Sequence, residues 1–591
     1  METVDDIIEL VAAVSGEREL DLVICDVQLV NVHSSEIQPT SLGVFRGRIV
    51  SPSVNRQSTA KQIIDGKGYF ALPGLIDTHV HVDSTLLTPS ALAELIVPHG
   101  TTAVFADPME IANVAGMAGL EAFVKSAGEL PYHFYVEVPS RVPSAPGLET
   151  TGGSLGFADT KKMLSWKMTI SLGELDPSKV LGKLPEYLMK VVEAQAAGKI
   201  ANGHTAGLSG EDLAAYACAC IADDHECISY DEARERLALG MAILVREGST
   251  ERNLEALVGG LVRAKADTRH WMMCTDDKHP DDIAREGHID HMLRKAISIG
   301  LKPVRAIQMA TINAATHFRL EHNIGSLTPG RWADIILTKN LTDLRPDKVF
   351  FKGELVAEGG RMTRAIHPSP FPNWLRQTVK ITHGRQAEDF HLHEDGSSVD
   401  AWLIKIFPDQ IVNKREIITL EVVDGYVRAD FERDVLKLAV VERYGKNGNI
   451  GITFVNGFNL KMGALASSVS HDHHNIVVVG ADDASMACCV RAIERQQGGL
   501  VACKGEEVLA ELPLPIGGLM SDHKAGWVIE ALQKMNQAAY DLGCRLPAPF
   551  MSLSFISLPT VPELGLTDMG LVDVHEHRII APFLHPKKMA R

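Results

Sequence analysis

The chain has 591 residues, 45% of them apolar and 23% charged, with a formal net charge of −17 at pH 7. This length exceeds one hydrophobic core, so two or three domains are expected, and the composition is that of a soluble globular protein. The acidic balance argues against a nucleic-acid surface, no apolar run is long enough to span a bilayer, and the start Met1-Glu2-Thr3-Val4-Asp5-Asp6 lacks a basic leader.

In chain order, Ile7, Ile8, Leu10, Val11 and Val14 recur at helical spacing and predict a short helix over 5–15. Residues 20–72 then show short β-rich runs broken by turns, such as Gly43-Val-Phe-Arg-Gly-Arg-Ile-Val, and residues 325–365 resemble them. The two segments are expected to pair into one small β-sandwich domain, 1–72 with 323–366. Between them, eight apolar β-type runs alternate with helical stretches; they end at His81, Asp107, Pro139, Glu174, His204, His225, Glu247 and Asp276. Eight β/α units over about 250 residues predict an α/β fold with a (β/α)8 TIM-like barrel over 73–322, its active site at the C-terminal strand ends. Residues 367–385, with Pro368, Pro370 and Pro372, read as a linker. An α+β C-terminal domain is expected over 386–591, with strands at Ile417-Ile-Thr-Leu-Glu-Val-Val and Asn475-Ile-Val-Val-Val-Gly and a helix over 484–497.

The strand ends carry the chemistry. His79-x-His81 follows an apolar run, and side chains two apart on a strand share a face. Glu174, His204, His225 and Asp276 end later strands in turn. These six are expected metal ligands. Six exceed a four-coordinate site that keeps an open position, so two metals are expected, bridged by Glu174. Lys167, the other conceivable bridge if carbamylated, lies roughly 20 Å away along the strand at about 3.3 Å per residue. Ligands without thiolates suit manganese first, or iron or zinc. The nine cysteines are scattered, odd in number and without a CxxC pair, which fits a reduced cytoplasmic protein and excludes zinc deaminases built on Pro-Cys-x-x-Cys.

Several longer motifs accompany these ligands: Asp107-Pro-Met-Glu-Ile-Ala-Asn-Val, Asn202-Gly-His-Thr-Ala-Gly-Leu, Arg246-Glu-Gly-Ser, Ser470-His-Asp-His-His-Asn-Ile-Val-Val-Val-Gly and Leu512-Pro-Leu-Pro-Ile-Gly-Gly-Leu-Met-Ser-Asp. Together they resemble the amidohydrolase superfamily and, within it, the bacterial adenine deaminase family over nearly the whole length. The chain departs from that family at Met109, where His is usual, at Asp83-Ser-Thr for Glu-Ser-Ser, at Thr205-Ala206 for Ala-Pro, and at His473 for Ser.

The resemblance implies adenine hydrolysis to hypoxanthine and ammonia in purine salvage, with a hydroxide bridging two metals attacking C6. Asp276 would be the general base, with Glu110 a second proton carrier. Asp107, Arg246, Glu247, Ser249, His471 and Asp472 are candidate substrate contacts; for Asp107, capping the next helix is the alternative. His471 and Asp472 are expected on a loop that either folds over the barrel mouth or stays on the surface. The partner is a small purine, and a homodimer or higher homo-oligomer is expected. Alternatives are another purine, a cyclic amide opened on the same site, and an assembly protein without catalysis, which the complete ligand set disfavours.

Overall fold

The computed structural model describes residues 3–51, 54, 59–408, 412–560 and 563–585. The apolar-periodic N-terminus forms a helix, Val4–Val14, capped by the Thr3 side chain. The two β-rich segments meet in one hydrogen-bonded sheet of nine strands. They join where Phe70–Pro73 pairs antiparallel with Ile335–Thr338, residues 262 or more apart in sequence.

The intervening chain forms eight parallel strands. We number them β1 Leu75–Val80, β2 Thr101–Ala106, β3 His133–Val138, β4 Thr169–Leu175, β5 Ile200–Gly203, β6 Asp223–Asp224, β7 Ala242–Arg246 and β8 Trp271–Cys274. β1–β5 make one parallel sheet and β6–β8 another. Two isolated parallel bridges close the ring, Ala201 to Ile221 between β5 and β6 and Val80 to Asp276 between β8 and β1. Ile76, Ala103, Phe105, Ile170, Leu244 and Met272 are buried in one cluster beneath the strand ends, so the barrel is a packed core. β6 is only two residues long, and the Asp223 carboxylate adds to its link with β5. That carboxylate accepts from Asn202 Nδ2 at 2.9 Å and from the Gly203 N–H at 3.2 Å, and meets His317 Nε2 at 2.6 Å.

Residues 367–385, expected as a linker, are packed instead. Phe371, Leu375 and Val379 are buried. The Gly517 N–H donates to the Leu375 carbonyl at 2.8 Å, and the Lys380 N–H to the Arg443 carbonyl at 2.7 Å. Three spaced apolar side chains outweigh the breaks set by the prolines. Beyond lies an eleven-stranded sheet with the helix Asp483–Gln496 on it. Among the described residues no helix is long and apolar enough to cross a membrane.

Candidate active site

β1 runs into His79, with His81 two residues on. His79 Nδ1 meets Glu137 Oε2 of β3 at 2.7 Å, leaving His79 Nε2 buried with no hydrogen-bond partner. His81 Nδ1 lies 3.1 Å from the Asp107 carbonyl oxygen and 2.9 Å from Glu110 Oε1. Holding Nδ1 in this way orients each ring so that Nε2 faces the centre of the site.

Glu174 ends β4. A Cβ on the preceding Gly173 would lie 2.2 Å from Asp107 Oδ2, so a glycine there makes room for that carboxyl. Glu174 Oε2 stands 3.2 Å from His225 Nε2 and 3.9 Å from the Nε2 atoms of both His79 and His204. Asp276 follows β8 with a φ of 56°, in the left-handed region that Asp tolerates better than most residues. Its N–H donates to the His79 carbonyl at 3.0 Å, which ties β8 to β1. Its Oδ1 lies 3.6 Å from His79 Nε2 and 3.5 Å from His81 Nε2.

The six residues expected as ligands thus converge, and all but the half-buried His204 are buried. Ligand atoms of His79, His81 and Glu174 lie within 4.8 Å of one another, as do those of Glu174, His204 and His225, and those of His79, His225 and Asp276. Glu174 belongs to the first two groups at once. Buried imidazole nitrogens and carboxylate oxygens without thiolate fit divalent ions, and His79 Nε2 is a buried polar atom that an ion would satisfy.

Two arginines hold the acids in place. Arg141, on the loop after β3, donates to Glu174 Oε1 at 2.5 Å and to Asp472 Oδ2 at 2.9 Å. Burial works to raise the Glu174 carboxyl, but Arg141 and His204 outweigh it and hold it well below the usual range. Arg246 reaches Asp276 Oδ2 at 2.9 Å and also forms an ion pair with Glu226. For Asp276 too, burial is outweighed, here by Arg246 and His225, and the carboxyl sits below its ordinary value.

The cluster floors a small cavity of about 40 Å³ whose wall includes His471, Asp472, Phe555 and Leu558 from beyond the barrel. The His471 ring stacks on Phe555 at 4.9 Å, with Nδ1 3.7 Å from Glu110 Oε1 and Nε2 3.9 Å from Asp277 Oδ1. His473 Nδ1 accepts from the Asn475 N–H at 3.0 Å, and His474 Nδ1 from the Ser470 N–H at 3.3 Å; a ring nitrogen of His474 lies within 4.8 Å of ligand atoms of Glu110 and His471.

Of the other residues expected to touch substrate, Arg246, Glu110, His471 and Asp472 line the cavity, whereas Asp107, Glu247 and Ser249 do not. The Asp107 carboxyl is buried behind the cluster; it does not cap the following helix, Met109–Ser126. Glu247 is taken by Lys295 at 2.5 Å and by the Leu254 N–H at 3.3 Å. The Ser249 hydroxyl donates to Asp282 at 2.5 Å and accepts from the His279 N–H at 2.9 Å. Sequence reasoning missed Glu137, Arg141, Glu226 and Glu251. Glu226 had a signal, since it follows His225 directly; the others are single polar residues in or after strands that supplied no ligand. Because Glu137 orients His79, Glu137→Gln is expected to weaken metal binding about 10–100-fold, read by metal content after dialysis against graded chelator. Wild-type retention would show that His79 needs no such partner.

A carboxylate shared between two groups of histidines at the C-terminal mouth of a parallel barrel is the arrangement of an amidohydrolase, and the Amidohydrolase family profile matches residues 70–356. The later part of the chain narrows the class, because residues 410–578 match the Adenine deaminase C-terminal domain. An adenine deaminase of Desulforamulus reducens is 53% identical over 566 residues, 96% of each chain. One of Dehalococcoides mccartyi is 41% identical over 97% of this chain and 98% of its own. One of Moorella thermoacetica is 39% identical over 97% of each. The chain belongs to the adenine deaminase family. Among solved structures, the β-aspartyl dipeptidase of Fervidobacterium islandicum aligns with a TM-score of 0.44 at 17% identity, over 59% of this chain and 99% of that one.

Proposed function

We propose that the protein hydrolyses adenine to hypoxanthine and ammonia. The observation that carries this reading is the single cavity lined both by the histidine and acid cluster of the barrel and by His471, Asp472 and Phe555 of the C-terminal part. Relatives bearing that activity in their names match almost the whole chain.

In this reading His79, His81, Glu174, His204, His225 and Asp276 hold two divalent ions, manganese first, with iron or zinc as alternatives. Such ions, when bound, supply Lewis acidity and make water nucleophilic at neutral pH. The chain's own groups move the protons. Asp276, kept ionised by Arg246, accepts a proton on Oδ1 as water adds to C6. The C6–N6 bond then breaks. The water's two protons end on N1 and on the leaving amine, with Asp276 and Glu110 as their carriers, so adenine and water become hypoxanthine and ammonia. Glu247 and Ser249, tied to Lys295 and Asp282, serve to hold the site's shape. Met109 is buried in the cavity wall at a position where the family usually carries His, which favours another purine as the second reading.

Ammonia release from adenine by manganese-loaded protein tests the proposal, with adenosine, guanine and a dihydropyrimidine alongside. Turnover of adenine above the others is expected; preference for guanine or for the dihydropyrimidine would overturn it. Stripping the metal with a chelator is expected to abolish turnover and added manganese to restore it, whereas full activity of the stripped protein would refute the metal role. The same reading makes the protein a cytoplasmic homodimer or higher homo-oligomer, which light scattering tests for assembly.

A further inference from the structure

One buried acid on the cavity wall has no role in the chemistry above. Glu251 lies on the turn after β7, and only 4% of its surface is exposed. The turn is built rather than loose: the Gly248 N–H donates to the Glu251 carbonyl at 3.0 Å, and Glu247 and Arg252 form an antiparallel bridge. One side-chain oxygen, Oε1, accepts the Thr250 hydroxyl; the other, Oε2, is buried with no hydrogen-bond partner among the described residues. A buried polar atom without a partner on the wall of a binding cavity points to a ligand that supplies one.

Of the other acids on that wall outside the ligand set, Glu226 faces Arg246, Asp472 faces Arg141 and Asp277 accepts from the Ser84 hydroxyl. Glu110, whose oxygens also lack a hydrogen-bond partner, lies beside His81 and is a proton carrier in the chemistry above. Burial pushes the Glu251 carboxyl up to about 8, against the pull of Arg246, which favours the protonated form. A protonated carboxyl presents one donor and one acceptor side by side. The purine edge farthest from C6 has the complementary pair: ring nitrogen N3 accepts and the neighbouring N9–H donates.

We propose that Glu251 reads the N3/N9–H edge of the purine and so selects the free base over N9-substituted purines. The inference rests on the proposed reaction, which puts C6 at Asp276 and turns that edge toward the rest of the wall. A substrate alkylated or ribosylated at N9 loses one of the two hydrogen bonds and adds bulk at the carboxyl.

The test compares Glu251→Leu and Glu251→Gln with the parent protein on adenine and 9-methyladenine, with metal content measured for each. Leu removes both polar atoms, and KM for adenine is expected to rise about 100-fold while kcat falls less than about threefold. Gln keeps a donor and an acceptor, so its KM is expected to rise by less than about tenfold. The preference for adenine over 9-methyladenine should narrow in the Leu variant alone. An unchanged KM in Glu251→Leu, or a fall in kcat together with lost metal, would overturn the assignment and leave Glu251 a structural acid. If Glu251→Leu does not fold, Glu251→Met, which also removes both polar atoms, takes its place, and an unchanged KM with unchanged discrimination against 9-methyladenine in that variant overturns the assignment equally. The parent protein separates the two ideas: failure to turn over adenine refutes the proposed reaction, whereas turnover with an indifferent Glu251 refutes only this inference.

Discussion

Asp276→Asn is expected to lower kcat for ammonia release by about 10⁴-fold, at the upper end of what a positioned acid or base contributes. Asn nearly preserves the shape of the side chain but cannot accept a proton at Oδ1, the atom 3.6 Å from His79 Nε2 and 3.5 Å from His81 Nε2. The fold should survive. Arg246 keeps its pairing with Glu226, and the backbone hydrogen bond from Asp276 to the His79 carbonyl does not depend on the side chain. Steady-state kinetics at matched metal content decides the matter. A kcat within tenfold of the parent would remove Asp276 from the proton path and leave Glu110 as the carrier to examine.

The second large effect concerns Arg141, whose guanidinium joins Glu174 of the barrel to Asp472 of the C-terminal loop. Replacing it by Met leaves Glu174 and Asp472 buried without their cation, and breaking such a buried pair costs about 3–5 kcal/mol. Both carboxyls then repel across the emptied position. Arg141→Met is therefore expected to lower the melting temperature, weaken metal binding, and reduce kcat/KM by more than 100-fold, an estimate of about 3 kcal/mol of lost transition-state stabilisation. Arg141→Lys keeps the charge but not the two-armed geometry and should fall between. Asp472→Asn separates the two contacts, since it disturbs the loop while leaving the Arg141–Glu174 pair intact. Thermal melts, metal analysis and kinetics on the three variants, with the double variant closing the cycle, measure the coupling. Wild-type metal affinity in Arg141→Met would show that Glu174 holds its position without this strut.

The metal-binding candidates were legible because a barrel strand exposes its chemistry at one end. His79, His81, Glu174, His204, His225 and Asp276 each lie at or just beyond the end of a strand, and that local pattern survives whatever the rest of the chain does. The groups around them were not. Glu137 shares its strand with residues that face the barrel interior and wall, and nothing in His133-Phe-Tyr-Val-Glu-Val tells which neighbour it meets. Asp107 read as a substrate contact or a helix cap, and nothing in the sequence set Asp223 apart. One is buried behind β4, and the other fastens β5 to β6 through Asn202 and Gly203. The proline-marked segment 367–385 misled for a similar reason: Phe371, Leu375 and Val379 become a docking face only when the surface they meet exists.

The amino-acid sequence by itself determined the strand and helix order, the eight-unit barrel, the strand-end histidines and acids that converge, and the family, because periodicity, strand-end residues and long motifs are properties of short stretches of chain. Only the tertiary structure decided which groups complete the site. Arg141 and Asp472 are 331 positions apart, and Glu110 and His471 are 361 apart, yet each pair meets at the barrel mouth. Contacts of that separation depend on how the C-terminal sheet docks over the barrel. A buried charge is stable only against the partner that docking brings, so neither member of such a pair announces the other in the sequence.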